Sequence, residues 1–182
     1  MALPFYDPHA VEANTLQRFE RLEFRPLEKM GGEGAGVYAL YYRGDLELYR
    51  EQVAGGLPIY IGSSVCVPNR LGRHSRCIDQ AVNLDRADFL VRSFCLPSGM
   101  ELWFEKILIL LKDPLWNKAE FGGFGTNRVA WERKNKNPSK WDIIHPGRTR
   151  CKGMNLPPEA EAELAAWWAL EKTSERTLPF WE

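Results

Sequence analysis

Gly36-Val37-Tyr38-Ala39-Leu40-Tyr41-Tyr42 is an aliphatic and aromatic run bounded by glycine, and it reads as a β-strand. A polar stretch from Arg43 to Gly56 follows. The chain then returns with Leu57-Pro58-Ile59-Tyr60-Ile61-Gly62, which reads as a second strand. The two are expected to pair antiparallel, with residues 43–56 as a long hairpin connection. Side chains alternate along a strand, so Tyr38 and Tyr60 can project from the same face of that ribbon.

Outward from this ribbon the pattern alternates. Pro68 to about Val82 reads as a helix, with Arg70, His74 and Ile78 at helical spacing. Asp88 to Leu96 reads as a third strand. Ser98-Gly99-Met100-Glu101 carries a capping-box signature and opens an apolar helix from about Gly99 to Lys112, stopped by Pro114. The apolar residues on nearly every side of that helix predict burial over much of its circumference. Asp7-Pro8 predicts a first helix reaching about Leu22, capped by Asp7, and residues 23–35 read as loop. Residues 119–152 read as turns, and Pro157-Pro158 as the start of a last helix carrying Leu164, Trp167, Trp168 and Leu170. The order β-β-α-β-α predicts an α+β fold, a small three-stranded antiparallel sheet flanked by helices. Residues 1–182 are expected to form a single domain, with a core at 36–117, an N-terminal arm and helix at 1–35, and additions at 119–182.

Composition narrows the class. Hydrophobic residues are 45% of 182 and charged residues 26%, enough for a true core and unlike a disordered chain. Apolar runs such as Ile107 to Leu111 are far short of a membrane span, and Met1-Ala2-Leu3-Pro4 shows no secretory signal. Cys66, Cys77, Cys95 and Cys151 form no C-x-x-C pair, so buried reduced thiols of a cytoplasmic protein are expected. Net charge is zero, but unevenly laid out. Residues 128–152 hold Arg128, Arg133, Lys134, Lys136, Lys140, Arg148, Arg150 and Lys152 against Glu132 and Asp142, whereas 157–182 hold six glutamates against Lys172 and Arg176. The basic block is either a polyanion-binding face or an ordinary solvated loop.

Several polar residues sit where they could do chemistry. A phenol can donate, accept or surrender a proton, but with a usual pKa of ~10 it needs help to act as a base. Tyrosine is also a common strand residue, so Tyr38 and Tyr60 alone are ordinary. Arg70 and His74, four apart, share one helix face. Arginine can hold a phosphate with two directed hydrogen bonds, and neutral histidine accepts a proton near pH 7. The plain alternative is a surface pair beside Arg73 and Arg76. Glu105 lies in Leu102-Trp103-Phe104-Glu105-Lys106-Ile107-Leu108, where a carboxylate needs a metal or hydrogen bonds. It is a metal ligand or a surface partner of Lys106 or Lys112. Mg²⁺ often takes only one or two protein carboxylates. Asn117 follows the helix stop, where an amide can hold a phosphate or a neighbouring phenol.

In this order, Gly36-Val37-Tyr38, Tyr60-Ile61-Gly62, Arg70 with His74, Glu105 and Asn117 resemble the GIY-YIG nuclease superfamily over residues 36–117. Valine replaces isoleucine in the first tripeptide, a volume-tolerant change. Histidine one turn after the arginine is similar to the type II restriction-endonuclease branch. The resemblance implies hydrolysis of double-stranded DNA without a covalent intermediate, using one Mg²⁺ per site, for which Mn²⁺ can substitute. It implies that Tyr38 deprotonates the attacking water, with His74 taking the proton onward. Tyr60 would position water or phosphate, Arg70 would hold the phosphate, Glu105 would bind the metal, and Asn117 would anchor the metal-side loop or phosphate.

No separate DNA-binding unit is visible, so recognition is expected from the additions. Asn127, Arg128, Arg133, Lys134, Asn135 and Lys136 are the candidates for DNA contact, with Gly122-Gly123-Phe124-Gly125 allowing close approach or movement. A palindromic, GC-rich target implies a homodimer, and Trp167, Trp168 and Trp181 would pack on the core or on the second subunit. A cognate DNA methyltransferase would be the functional partner. The alternatives are a repair or mobile-element nuclease of the same superfamily, and a noncatalytic DNA-binding domain on the same fold. A histidine-rich zinc hydrolase is disfavoured, because only His9, His74 and His145 exist and H-E-x-x-H is absent.

Overall fold

The structure, a computed structural model, describes residues 8–27, 34–118, 121–125 and 138–151. Four strands form one antiparallel sheet: β1 (Arg25–Pro26), β2 (Gly36–Tyr42), β3 (Tyr60–Ser64) and β4 (Phe89–Cys95), in the order β1-β4-β2-β3. Among the described residues five α-helices accompany them: α1 (Pro8–Glu20), α2 (Arg50–Gly55), α3 (Val67–Gln80), α4 (Glu101–Lys112) and α5 (Lys140–Ile144).

The sheet has four strands rather than three. The extra one is two residues long and lies in the segment read as loop, where Arg25 pairs with Val91 and Pro26 with Leu90. Proline lacks a donor, which is tolerated on an outer strand. So short a strand leaves no alternating pattern in sequence. The connection 43–56 is not an open hairpin loop either. It folds into a 3₁₀ turn at Glu47–Tyr49 and then α2, and it delivers Tyr49 to the core.

β2 is the central strand of the site and is buried along its whole length. Its alternation sorts the core into two layers. Val37, Ala39 and Tyr41 pack with Phe19 of α1, Ile61 and Leu108 of α4. Tyr38, Leu40 and Tyr42 face the other way, into a larger cluster with Tyr60, Leu71, Ile78, Trp116, Phe124 and Trp141.

α4 begins at Glu101, with Met100 and not Ser98 as its N-cap; Glu101 accepts the Gly99 N–H at 2.6 Å. The expected burial around its circumference does not hold. Leu108 is buried, but Leu102 and Leu110 are 62% and 76% exposed. The helix rests on the sheet along one stripe only, so its apolar outer side meets solvent. The turn-rich reading of 119–152 is corrected at its C-terminal end, where α5 buries Trp141, Ile143 and Ile144. Arg148, counted in the basic block, is buried against Asp142 and is not available to a polyanion. None of the four cysteines is in a disulfide, though only Cys151 is buried and Cys95 is exposed. The first-helix cap Asp7, the last helix from Pro157, and Trp167, Trp168 and Trp181 lie outside the described residues.

Candidate active site

Register brings the two phenols together. Tyr38 pairs with Gly62, and Leu40 with Tyr60, so Tyr38 and Tyr60 are diagonal neighbours on one face with ring centroids 6.3 Å apart. Gly62 is required for this. A Cβ there would lie 2.5 Å from the Tyr38 hydroxyl, so the phenol lies directly over the glycine backbone.

α3 adds the basic pair. Apolar Val67, Leu71 and Ile78 seat its inner face, and the same face carries His74, which is only 2% exposed. The Tyr38 hydroxyl meets His74 Nε2 at 2.7 Å. Burial raises the Tyr38 pKa above that of an ordinary phenol, with Tyr60 and Glu105 adding to the effect and Arg70 opposing it. Burial, reinforced by the Arg70 and Arg148 charges, lowers His74 to about 3. Near neutral pH the pair is therefore a phenol and a neutral imidazole. In the tautomer that carries the imidazole proton on Nδ1, Nε2 accepts the phenol proton.

Arg70 lies one turn earlier and interacts electrostatically with both phenols. Burial alone would weaken its charge, but these partners outweigh it and its pKa is raised. Arg70 Nη2 donates to the Gly125 carbonyl, while its Nε–H is buried without a partner. Arg70 also lines a cleft, where a guanidinium suits an anion. That cleft encloses about 300 Å³ and is lined by Ser63, Ser64, Val65, Cys66, Asn69, Arg70 and Arg73.

Glu105 comes from the other side of the sheet. Its carboxylate accepts the Ser63 hydroxyl at 2.6 Å, one residue beyond Gly62, and its charge raises the pKa of both Tyr38 and Tyr60. The alternative of a surface pair with Lys112 is not realised, since Lys112 pairs with Glu20 of α1. Among the described residues no cluster of three or more His, Cys, Asp or Glu could hold a metal. A half-buried carboxylate held by Ser63, itself a cleft-lining residue, fits a hard cation such as Mg²⁺, which keeps most of its oxygen ligands from water and phosphate. It does not fit a tetrahedral zinc site.

Asn117 stands in the turn after α4. Its Oδ1 accepts the Ile61 N–H at 2.8 Å and its Nδ2 donates to the Ile61 carbonyl at 2.8 Å. Trp116 N–H donates to the Ile59 carbonyl at 2.8 Å. This turn therefore stands in for a neighbouring strand along the open edge of β3, with the Asn117 amide imitating a peptide group. Tyr38, Tyr60, Arg70 and His74 meet on one face of the sheet; Glu105 stands on the other, with its charge reaching both phenols, and Asn117 braces the strand that carries Tyr60.

Three features escaped sequence reasoning. Ser63 orients Glu105, and Asn69 and Arg73 line the cleft beside Arg70. The segment 121–125 roofs the site. A Cβ on Gly125 would lie 2.1 Å from the Tyr60 hydroxyl, and the Phe124 ring stacks on His74. Beneath it lies a second buried Tyr–His pair, Tyr49 with His145. Trp116 Nε1–H donates to the Tyr49 hydroxyl at 3.0 Å, and His145 Nδ1 meets Asn83 Oδ1 at 2.8 Å. The glycines of 122–125 carried a hint of close approach, but the other partnerships span long sequence separations. Asn127, Arg128, Arg133, Lys134, Asn135 and Lys136 lie outside the described residues.

A family model described as the Eco29kI GIY-YIG domain matches residues 63–167, more than half of the chain. The match takes in Arg70, His74, Glu105 and Asn117 and begins within β3, at the residue after the Tyr60-Ile61-Gly62 tripeptide. No curated protein matches the chain significantly.

Proposed function

Because this chain belongs to the Eco29kI family of GIY-YIG restriction-endonuclease domains, we propose that it is a type II enzyme that hydrolyses double-stranded DNA at a short palindromic, GC-rich site. It acts in the cytoplasm as a homodimer on DNA, alongside a methyltransferase that protects the same site. The family membership supports a nuclease role with DNA as substrate. Among the described residues no helix is long and apolar enough to cross a membrane.

The observation that carries the mechanism is the buried 2.7 Å contact between the Tyr38 hydroxyl and His74 Nε2. A raised phenol pKa means that free tyrosinate is scarce near neutral pH. A relay avoids the need for it. The attacking water passes a proton to the Tyr38 oxygen as Tyr38 passes its own proton to His74 Nε2. The nascent hydroxide forms the new P–O bond in line with the leaving deoxyribose oxygen, whose bond to phosphorus breaks. Electrons move from water to the leaving oxygen, and no bond to the protein forms.

Arg70, which lines the cleft, opposes the charge that builds on the phosphoryl oxygens. Tyr60, packed against both Tyr38 and His74, orients the water or the phosphate. Glu105 would hold the Mg²⁺, with Ser63 steering its carboxylate. When bound, the ion supplies electrostatic stabilisation to the departing oxygen and orients the substrate. Asn117 keeps β3 in register beneath these groups. Sequence readout falls to Asn127, Arg128, Arg133, Lys134, Asn135 and Lys136, whose types suit phosphate and guanine-edge contacts.

The test is incubation of the purified chain with phage DNA of known sequence and Mg²⁺. Discrete fragments whose ends share one palindrome, and their disappearance with EDTA, are the expected outcome. A continuous smear at every enzyme concentration would contradict the site-specific reading.

A further inference from the structure

We propose that Phe124 is a positioning residue for the reaction: held between His74 and the Trp116–Trp141 pair, its ring fixes the imidazole plane that meets Tyr38. The proposal rests on His74 as the proton acceptor in the reading above and names the residue that prepares it.

Phe124 is buried, and its ring lies nearly parallel to His74, 16° apart with centroids at 4.5 Å. Its edge meets Tyr60 at 5.1 Å, so one side chain touches both the imidazole and the second phenol. Behind it are Trp116 at 4.5 Å and Trp141 at 5.2 Å. The backbone on either side of Phe124 is held independently. The Gly123 carbonyl accepts from Arg148 Nη1 and Nη2 at 3.4 and 3.3 Å, and Arg148 is itself fixed by Asp142 and lies over the Trp141 ring. The Gly125 carbonyl accepts from Arg70. The ring therefore has little freedom, and neither does the imidazole stacked on it.

Two consequences follow for His74. Its plane is set so that Nε2 faces the Tyr38 hydroxyl, and water is kept off the ring. The charged and titratable groups around it are Tyr38 from β2, Tyr60 from β3, Arg70 from α3 and Arg148 from the segment after α5. Both arginines disfavour a charged imidazole, and burial disfavours it most. Removing the Phe124 ring admits water without removing any of these groups.

The experiment compares the full chain with Phe124→Ala and Phe124→Leu. His74 is titrated by NMR through its imidazole carbon proton, and single-turnover DNA cleavage with Mg²⁺ is measured from about pH 5.5 to 8.5. In the unaltered chain His74 is expected not to titrate across this range. In Phe124→Ala its midpoint rises to about 6, and cleavage acquires an acid limb at the same pH while DNA affinity stays within about threefold. Phe124→Leu, apolar but without a plane to stack, keeps His74 untitrated and lowers kcat about tenfold with KM unchanged.

An unchanged His74 midpoint in Phe124→Ala would overturn the proposal. So would full kcat in Phe124→Leu, which remains decisive if the alanine variant does not fold. The NMR midpoint reads Phe124 even if the chain cuts no DNA, so failure here is distinguishable from failure of the nuclease reading. The latter would show as no Mg²⁺-dependent cleavage by the unaltered chain.

Discussion

Tyr38 and His74 are useful to each other because both are buried. Desolvation pushes the phenol and the imidazole away from their charged forms, so the proton stays on oxygen and Nε2 stays ready to receive it. Tyr38→Phe removes one oxygen and leaves Nε2 facing a ring edge. Cleavage is expected to fall by about 10²- to 10⁴-fold, as for loss of a general base. Stability should drop by roughly 1–3 kcal/mol, because a buried acceptor loses its donor. Quench-flow cleavage and urea unfolding measure the two effects, and turnover equal to that of the unaltered chain would remove Tyr38 from the mechanism. The individual residues were largely legible. The strand pattern put both tyrosines on one face, and the four-residue spacing put Arg70 with His74. Phe124 was not legible, since a phenylalanine among glycines carries no mark of what it will stack upon.

The elements hold these residues at unequal cost. β3 lies at the sheet edge, and its open side is covered by Trp116 and Asn117 rather than by a strand. Asn117→Ala removes both amide bonds to Ile61. It is expected to cost about 1–3 kcal/mol of stability and to lower kcat, because Tyr60 is carried by the same edge. Asn117→Asp keeps an acceptor for the Ile61 N–H but loses the donor to its carbonyl, so it should recover only part of the loss. Hydrogen exchange at the Ile61 amide reads this directly. Protection unchanged in Asn117→Ala would mean that the amide is not the brace.

α4 illustrates where sequence misleads. Its uninterrupted apolar run predicts burial all round, yet only one stripe meets the sheet, and Leu102 and Leu110 face solvent. Periodicity reports which residues can be buried, and the number of available neighbours decides which are. β1 and α2 were missed for the opposite reason, being too short to show any period.

Across the molecule, burial of neutral histidine has a consequence for stability. His74 and His145 are both lowered to about 3, chiefly by desolvation, with Arg148 adding to each. In the unfolded chain both titrate near 6.5. Above that value neither state binds the proton, and the folded form keeps its full stability. As pH falls below about 6.5 the unfolded state takes up protons that the folded state refuses, so stability declines until the folded pKa is reached. By pH 5 the loss is on the order of 2 kcal/mol for each histidine. Urea unfolding at pH 7.5 and 5.0 measures it, and equal or greater stability at the lower pH would contradict the burial of both rings.

The larger architecture was legible as far as local pattern extends, namely three strands, three helices and their order. The aromatic cluster joining Tyr49, Trp116, Phe124, Trp141 and His145 was not. It assembles residues from opposite ends of the core through contacts that no local spacing encodes. The ion pair of Asp142 with Arg148 was hidden in the same way, within a stretch whose excess of basic residues suggested a solvated face.

The central claim is that Glu105 and the Tyr38–His74–Arg70 group serve one phosphodiester from two sides of the sheet. Its most direct measurement is cleavage and binding of the same DNA duplex by Glu105→Ala, with Mg²⁺ present. Affinity within about threefold of the unaltered chain, together with a cleavage rate lower by on the order of a thousandfold, is the predicted result. Cutting that survives the substitution would contradict it.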